Sequence, residues 1–166
     1  VLDLRNHGEN KPTLDISYEL MVEDVYNFIK TKNIKKFSII GHSMGGKLGM
    51  LFTLKNPQFI NQLFVVDIAP VNYPFQKTEI VDHLIELDLN KCGSRNDAEK
   101  LLSKNINEKN LRIFLLQNLK YHDGKYRWSL NLDAIKSGMS DLRSFPINEK
   151  INSTNIKTIC IWGENS

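Results

Sequence analysis

At 166 residues the chain has the length of one domain, and its 41% hydrophobic and 25% charged residues are the balance of an ordinary globular protein with a single core. The net charge of +3 is spread over scattered lysines, which argues against a nucleic-acid partner. No run approaches the ~18 consecutive apolar residues that a membrane-spanning helix requires.

In chain order, Val1–Leu4 reads as a short apolar strand that opens without an initiator Met, followed by the loop Arg5-Asn6-His7-Gly8. The spacing of Met21, Val22, Val25, Phe28 and Ile29 predicts a helix from Ser17 to Lys30 with one buried face. Phe37–Ile40 is a compact buried strand ending at Gly41. A second helix is expected from Met44 to Lys55, with Leu48, Leu51 and Phe52 inward and Asn56-Pro57 as its stop. Leu63–Ile68 and Thr158–Trp162 add two more apolar strands. Four such strands, the first three separated by helices, imply a parallel sheet covered on both faces. The chain stops just after the last strand, at Glu164-Asn165-Ser166, so both ends read as cut.

Between Pro70 and Ile156 the rhythm changes to amphipathic stretches at Glu79–Leu89, Ala98–Leu102 and Leu111–Leu119. Ser94 or Asn96 can cap the middle helix, with Asp97 and Glu99 in its first turn. Asp123-Gly124 marks a hairpin turn. The expected architecture is therefore an α/β fold with a mostly parallel sheet, helices on both faces and a helical cap insertion. Residues 1–70 are read as core, 71–155 as cap and 156–166 as a return to the core. The two cysteines, Cys92 and Cys160, lack any CxxC or Cys/His spacing for zinc, so reduced thiols in a cytoplasmic setting are expected.

The chemistry is concentrated in Gly41-His42-Ser43-Met44-Gly45-Gly46, which fits the G-x-S-x-G nucleophile elbow. A serine on a sharp strand-to-helix turn needs small neighbours two residues before and after, because bulk would clash there. The turn raises the hydroxyl to the top of the sheet, at a helix N-terminus that favours developing negative charge. The Met44 N–H is placed to donate to the oxyanion, at about 3–4 kcal/mol per donor in comparable sites.

Ser43 needs an imidazole base and a carboxylate to orient it, in the chain order Ser, acid, His. The acid has two candidate positions. Asp67 ends the strand after the nucleophile helix, whereas the loop after the last strand offers Glu164 one residue past Gly163, with Ser166 three residues past it. Asp67 is favoured, because the acid expected three residues past the glycine is replaced by Ser166 and Glu164 lies only one past it. A carboxylate after three large apolar residues would also be costly to place without a partner. None of His7, His42, His83 and His122 has the expected place. His7 suits a structural hydrogen bond, His42 points away beside Ser43, His83 suits a helix surface and His122 a hairpin. The base is expected beyond Ser166 and the second oxyanion donor before Val1, so the segment alone is expected to be inactive.

Four stretches resemble the YbfF-type esterases of bacteria and their mitochondrial relatives: Asp3-Leu4-Arg5-Asn6-His7-Gly8, Gly41–Lys47, Val66-Asp67-Ile68-Ala69-Pro70-Val71 and Trp128–Ile135. The match is looser through Lys91–Lys120. The resemblance implies hydrolysis of carboxylic esters or acyl thioesters, no metal or organic cofactor, and Asp67 at the position of the triad acid. Tyr73 and Phe75 are candidates to line an acyl pocket or to pack between sheet and cap, and Tyr126 and Trp128 to close its mouth or brace the hairpin. Lys47 is a candidate to meet an anionic substrate group, or is solvated. Two rivals stay open: a lyase or cofactor-free haloperoxidase on the same triad, and a non-catalytic binding module that keeps the elbow without the base.

Overall fold

The structure is a computed structural model that describes residues 1–74, 79–146 and 154–164. In chain order its main elements are α1 (Tyr18–Thr31), β1 (Phe37–His42), α2 (Met44–Lys55), β2 (Ile60–Val66), α3 (Glu79–Ile85) and α4 (Arg95–Leu102). They continue with α5 (Lys109–Leu116), β3 (Leu119–His122), β4 (Lys125–Trp128), α6 (Leu132–Ser137), α7 (Met139–Arg143) and β5 (Thr158–Ile161). The chain divides into two units, Val1–Ile16 with Gln76–Met139 and Ser17–Phe75 with Ser140–Ser166.

The second unit holds the parallel sheet, in the order β1-β2-β5. α1 begins where Ser17 accepts the Leu20 N–H, and it buries Tyr18, Met21, Val22 and Ile29. Phe28, expected on that face, stays 37% exposed. Because strand side chains alternate, one sheet face carries Ile39, Leu63 and Val65. There α2 fits closely: a Cβ at Gly49 would lie 3.0 Å from Ile39 Cγ2 and 3.1 Å from Leu63 Cδ1. On the other face Ile40 is 76% and Ile161 50% exposed among the described residues.

Val1–Leu4, expected as a strand, is not one. The side-chain amide of Asn10 donates to the carbonyls of Asp3 (2.7 Å) and Leu4 (3.1 Å) instead. A ladder needs a neighbouring strand, and an asparagine amide satisfies the same carbonyls locally.

The first unit is built around Val81, Leu84, Ala98, Leu102, Leu116 and Leu119. α3 stops at Ile85, earlier than its apolar pattern suggested, and a 3-10 turn comes next at Leu89–Lys91. Ser94, not Asn96, caps α4. In the β3–β4 hairpin Asp123 and Gly124 both have positive φ (49° and 78°), the backbone of a two-residue type I′ turn.

Two stretches of the family resemblance meet within this unit. His7 bridges Leu130, Gly8 N–H donates to Ser129 O (2.8 Å), and Asn131 N–H donates to Asn6 O (2.9 Å). Asn6 is 2% exposed with φ 64°, and its amide nitrogen donates to Thr13 Oγ1 and Asp15 O. Its oxygen accepts from Thr13 N–H and Asn131 Nδ2.

Candidate active site

β1 delivers the chain to Ser43, and α2 begins at the next residue. Ser43 has φ 50° and ψ −118°, a backbone that non-glycine residues rarely adopt and that stores roughly 1–3 kcal/mol of strain. Two sets of bonds hold it. Ser43 N–H donates to Val66 O (3.1 Å), and Ser43 O accepts from Gly46 N–H (2.9 Å) and Lys47 N–H (3.1 Å). The serine is exposed, and its hydroxyl makes no capping bond to the helix it precedes. Met44 N–H, the first of α2, meets no backbone acceptor among the described residues. The arrangement can present a hydroxyl beside an unclaimed donor at a helix start.

The steric demand on the elbow glycines differs from the expected one. A Cβ on Gly41 would sit 2.2 Å from Gly45 O, so the glycine two before the serine is required. A Cβ on Gly45 meets nothing within 4 Å, whereas one on Gly46 would sit 2.5 Å from Ile68 Cγ2. Close packing falls on the third glycine because it faces β2 and, two residues past the strand's end, Ile68.

Asp67 directly follows β2, with φ 53° and its N–H donating to Ile161 O (2.8 Å). The register pairs His42 with Val66, so Ser43 and Asp67 leave the carboxyl ends of neighbouring strands at the same level. The carboxylate is exposed and has no partner among the described residues, so the expected burial cost does not arise. Glu164, the rival acid, is also exposed, while Ser166 and Phe75 lie outside the described residues.

Two of the four histidines, His7 and His122, have partners of their own away from Ser43. His7 Nδ1 lies 2.9 Å from Arg5 O, a structural bond as expected. His42 is exposed, and His122 pairs with Asp123 at 2.8 Å in the hairpin. His83 is half-buried in α3, with an Nδ1 that finds no partner among the described residues, so it is not the surface residue its helix suggested. The described aromatic candidates each have a neighbour. Tyr73 hydroxyl accepts from Ala69 N–H (3.2 Å), Tyr121 and Tyr126 rings lie 5.0 Å apart, and Trp128 Nε1 donates to Leu84 O (3.1 Å).

Lys47 overturns both expectations made for it. It is 1% exposed, and its ammonium donates to Val71 O (3.0 Å), Arg143 O (2.8 Å) and Ser144 O (2.8 Å). Burial, and secondarily the charge of Arg143, push its pKa below the usual lysine range. Among the described residues, no group of three or more His, Cys, Asp or Glu side chains is gathered to hold a metal ion. No described helix is long and apolar enough to cross a membrane.

A strained serine between a parallel strand and a helix defines a class of α/β protein, and comparison gives it a family. The sequence model of the alpha/beta hydrolase fold matches residues 1–165. The chain belongs to the α/β-hydrolase family. It is 34% identical over 151 residues to the sn-1-specific diacylglycerol lipase ABHD11 of Danio rerio, covering 87% of this chain and 48% of that protein. It is 32% identical over 153 residues to ethanol acetyltransferase 1 of Hanseniaspora uvarum, covering 76% of this chain and 44% of that protein. The solved structure of a marine microorganism esterase superposes with a TM-score of 0.82 at 33% identity, covering 97% of this chain and 75% of that one. The chain thus spans about half the length of the curated relatives it matches.

Proposed function

We propose that this chain carries the nucleophile and acid of a serine hydrolase that cleaves carboxylic esters or acyl thioesters. The observation that carries the reading is Ser43 itself, held at φ 50° by backbone bonds with its hydroxyl unengaged by the helix. Similarity to a diacylglycerol lipase and to a solved esterase supports it. Ser43 Oγ attacks the acyl carbonyl while its proton passes to a histidine outside residues 1–166, oriented by Asp67. Met44 N–H donates to the oxyanion of the tetrahedral intermediate. The intermediate collapses to an acyl-serine as the alcohol or thiol leaves with the imidazole's proton. Water then attacks the acyl-serine, returns a proton through the histidine and releases the acid. Residues 71–155 are read as a cap insertion, and the free thiols of Cys92 and Cys160 fit a cytoplasmic setting.

A second reading is transfer of the acyl group to an alcohol rather than to water, and the similarity to an ethanol acetyltransferase favours it. The test is turnover of p-nitrophenyl esters of increasing chain length by the complete gene product, with and without ethanol, beside Ser43→Ala. The reading requires p-nitrophenol release that disappears in the variant, and faster release with ethyl-ester formation assigns the transferase. Release unchanged by Ser43→Ala refutes the nucleophile. No release from either protein points to a binding module, a lyase or a haloperoxidase.

A further inference from the structure

The proposed reaction leaves Lys47 without a task, yet it is a positive charge 1% exposed. An ammonium carries three donors, and all three are used, on the carbonyls of Val71, Arg143 and Ser144 at 2.8–3.0 Å. The Tyr73 ring lies 4.8 Å from Nζ, a cation–π contact that adds to the stabilisation of the desolvated charge. Three carbonyls converging on one point suit a compact ammonium; the planar fork of a guanidinium would spread its donors past them.

The segments that own those carbonyls give the contact its meaning. Val71 lies four residues after Asp67, and Arg143 and Ser144 lie at the end of α7. The same two stretches are tied by Tyr73 N–H to Arg143 O (3.0 Å), Phe145 N–H to Asn72 Oδ1 (2.8 Å) and Arg143 Nε to Pro74 O (2.9 Å). At its other end Lys47 sits one helical turn past Ser43 and donates its own N–H to Ser43 O (3.1 Å). A short path therefore runs from the nucleophile through Lys47 to the segment that begins at the acid.

We propose that Lys47 is a positioning residue: its ammonium holds the segment after Asp67 against the helix that starts at Ser43, and so sets the geometry between nucleophile and acid. The inference rests on the Ser43 and Asp67 assignments. Asp67 needs such support, because its positive φ is otherwise secured, among the described residues, by one backbone bond to Ile161 O. A neutral side chain of the same length would leave three carbonyls unpaired and free the segment to shift.

The test is a double-mutant cycle in the complete gene product, read on p-nitrophenyl acetate. Lys47→Met is expected to lower kcat by about 10–100-fold, as a displacement near 1 Å at a reacting group does, with KM within about 2-fold. Asp67→Asn should lower kcat by up to ~10⁴-fold. Adding Lys47→Met to Asp67→Asn should lower it by less than about 3-fold more, because the lysine acts through the acid. Asn72→Ala, which loosens the same segment from an exposed position, should show a smaller kcat loss with the same dependence on Asp67, and it serves if Lys47→Met does not fold. Parental kcat in Lys47→Met, or a loss just as large in the Asp67→Asn background, overturns the proposal and leaves Lys47 a structural staple. If Lys47→Met does not fold, parental kcat in Asn72→Ala overturns it. Activity that survives Ser43→Ala or Asp67→Asn refutes the parent assignment instead, so the two failures are told apart.

Discussion

Replacing Gly41 with alanine puts a methyl carbon 2.2 Å from Gly45 O, 2.5 Å from Gly45 C and 2.7 Å from Gly46 N. Ordinary contact begins near 3.4 Å, so a gap of about 1.2 Å must open between the end of β1 and the first turn of α2. All three atoms are main chain, and none can rotate aside. The shift must therefore be shared by Ser43, whose N–H and C=O are bound to Val66 O and Gly46 N–H. Overpacking costs about 1–3 kcal/mol, and a rigid main-chain obstacle belongs at the upper end. For a chain of this size that is a fall in Tm of roughly 6–12 °C. A nucleophile moved by about 1 Å should lose roughly 10²-fold in kcat. Gly45→Ala is the control: its methyl meets nothing within 4 Å, and removing a helical glycine is worth up to about 1 kcal/mol in favour of the fold. Thermal unfolding of both variants by circular dichroism, with initial rates on p-nitrophenyl acetate for Gly41→Ala, tests the pair. Parental Tm and kcat in Gly41→Ala, or Gly45→Ala proving the less stable of the two, would refute the steric account of the elbow.

Further consequences lie outside the site. Arg112 is 8% exposed and binds Glu99 Oε1 through Nε and Nη2, and Ile106 O and Asn107 O through Nη1. Arg112→Met should cost about 3–5 kcal/mol in urea unfolding, because it strands a partly buried carboxylate and two carbonyls; a change under about 1 kcal/mol contradicts this. The Ser94 hydroxyl donates to Asp97 Oδ2 at 2.8 Å, and that bond is the leading cause holding the Asp97 carboxyl below the usual carboxylate range. A depressed folded-state pKa gives stability that is present above the ordinary carboxylate range and lost as pH falls through the folded value. Ser94→Ala should therefore destabilise the protein more at pH 7 than at pH 3, and an equal Tm loss at both would show that Asp97 plays no part.

The features legible in the sequence were those set by short-range physics. Gly41-His42-Ser43 announced the elbow because the turn tolerates few residue types, and Asp123-Gly124 announced the hairpin because a type I′ turn needs two positive φ values. Phe37–Ile40 and Leu63–Val66 read as strands because parallel strands are continuous apolar runs. Tertiary structure decided the rest. The pairing of His42 with Val66, which sets Ser43 and Asp67 side by side, is a register no local pattern encodes. Asn6 and Asn131 stand 125 residues apart, and only the folded chain joins them. Val1–Leu4 carried a strand's composition, but no strand among the described residues pairs with it. Lys47 looked like a surface or substrate-facing cation, although it sits among Gly46, Leu48 and Gly49, all buried, in a helix with few polar positions. That setting was the available signal. Composition tells which residues resist water, but a buried charge is tolerated only where acceptors converge on it, and those acceptors come from residues 24 and 96 or more positions away.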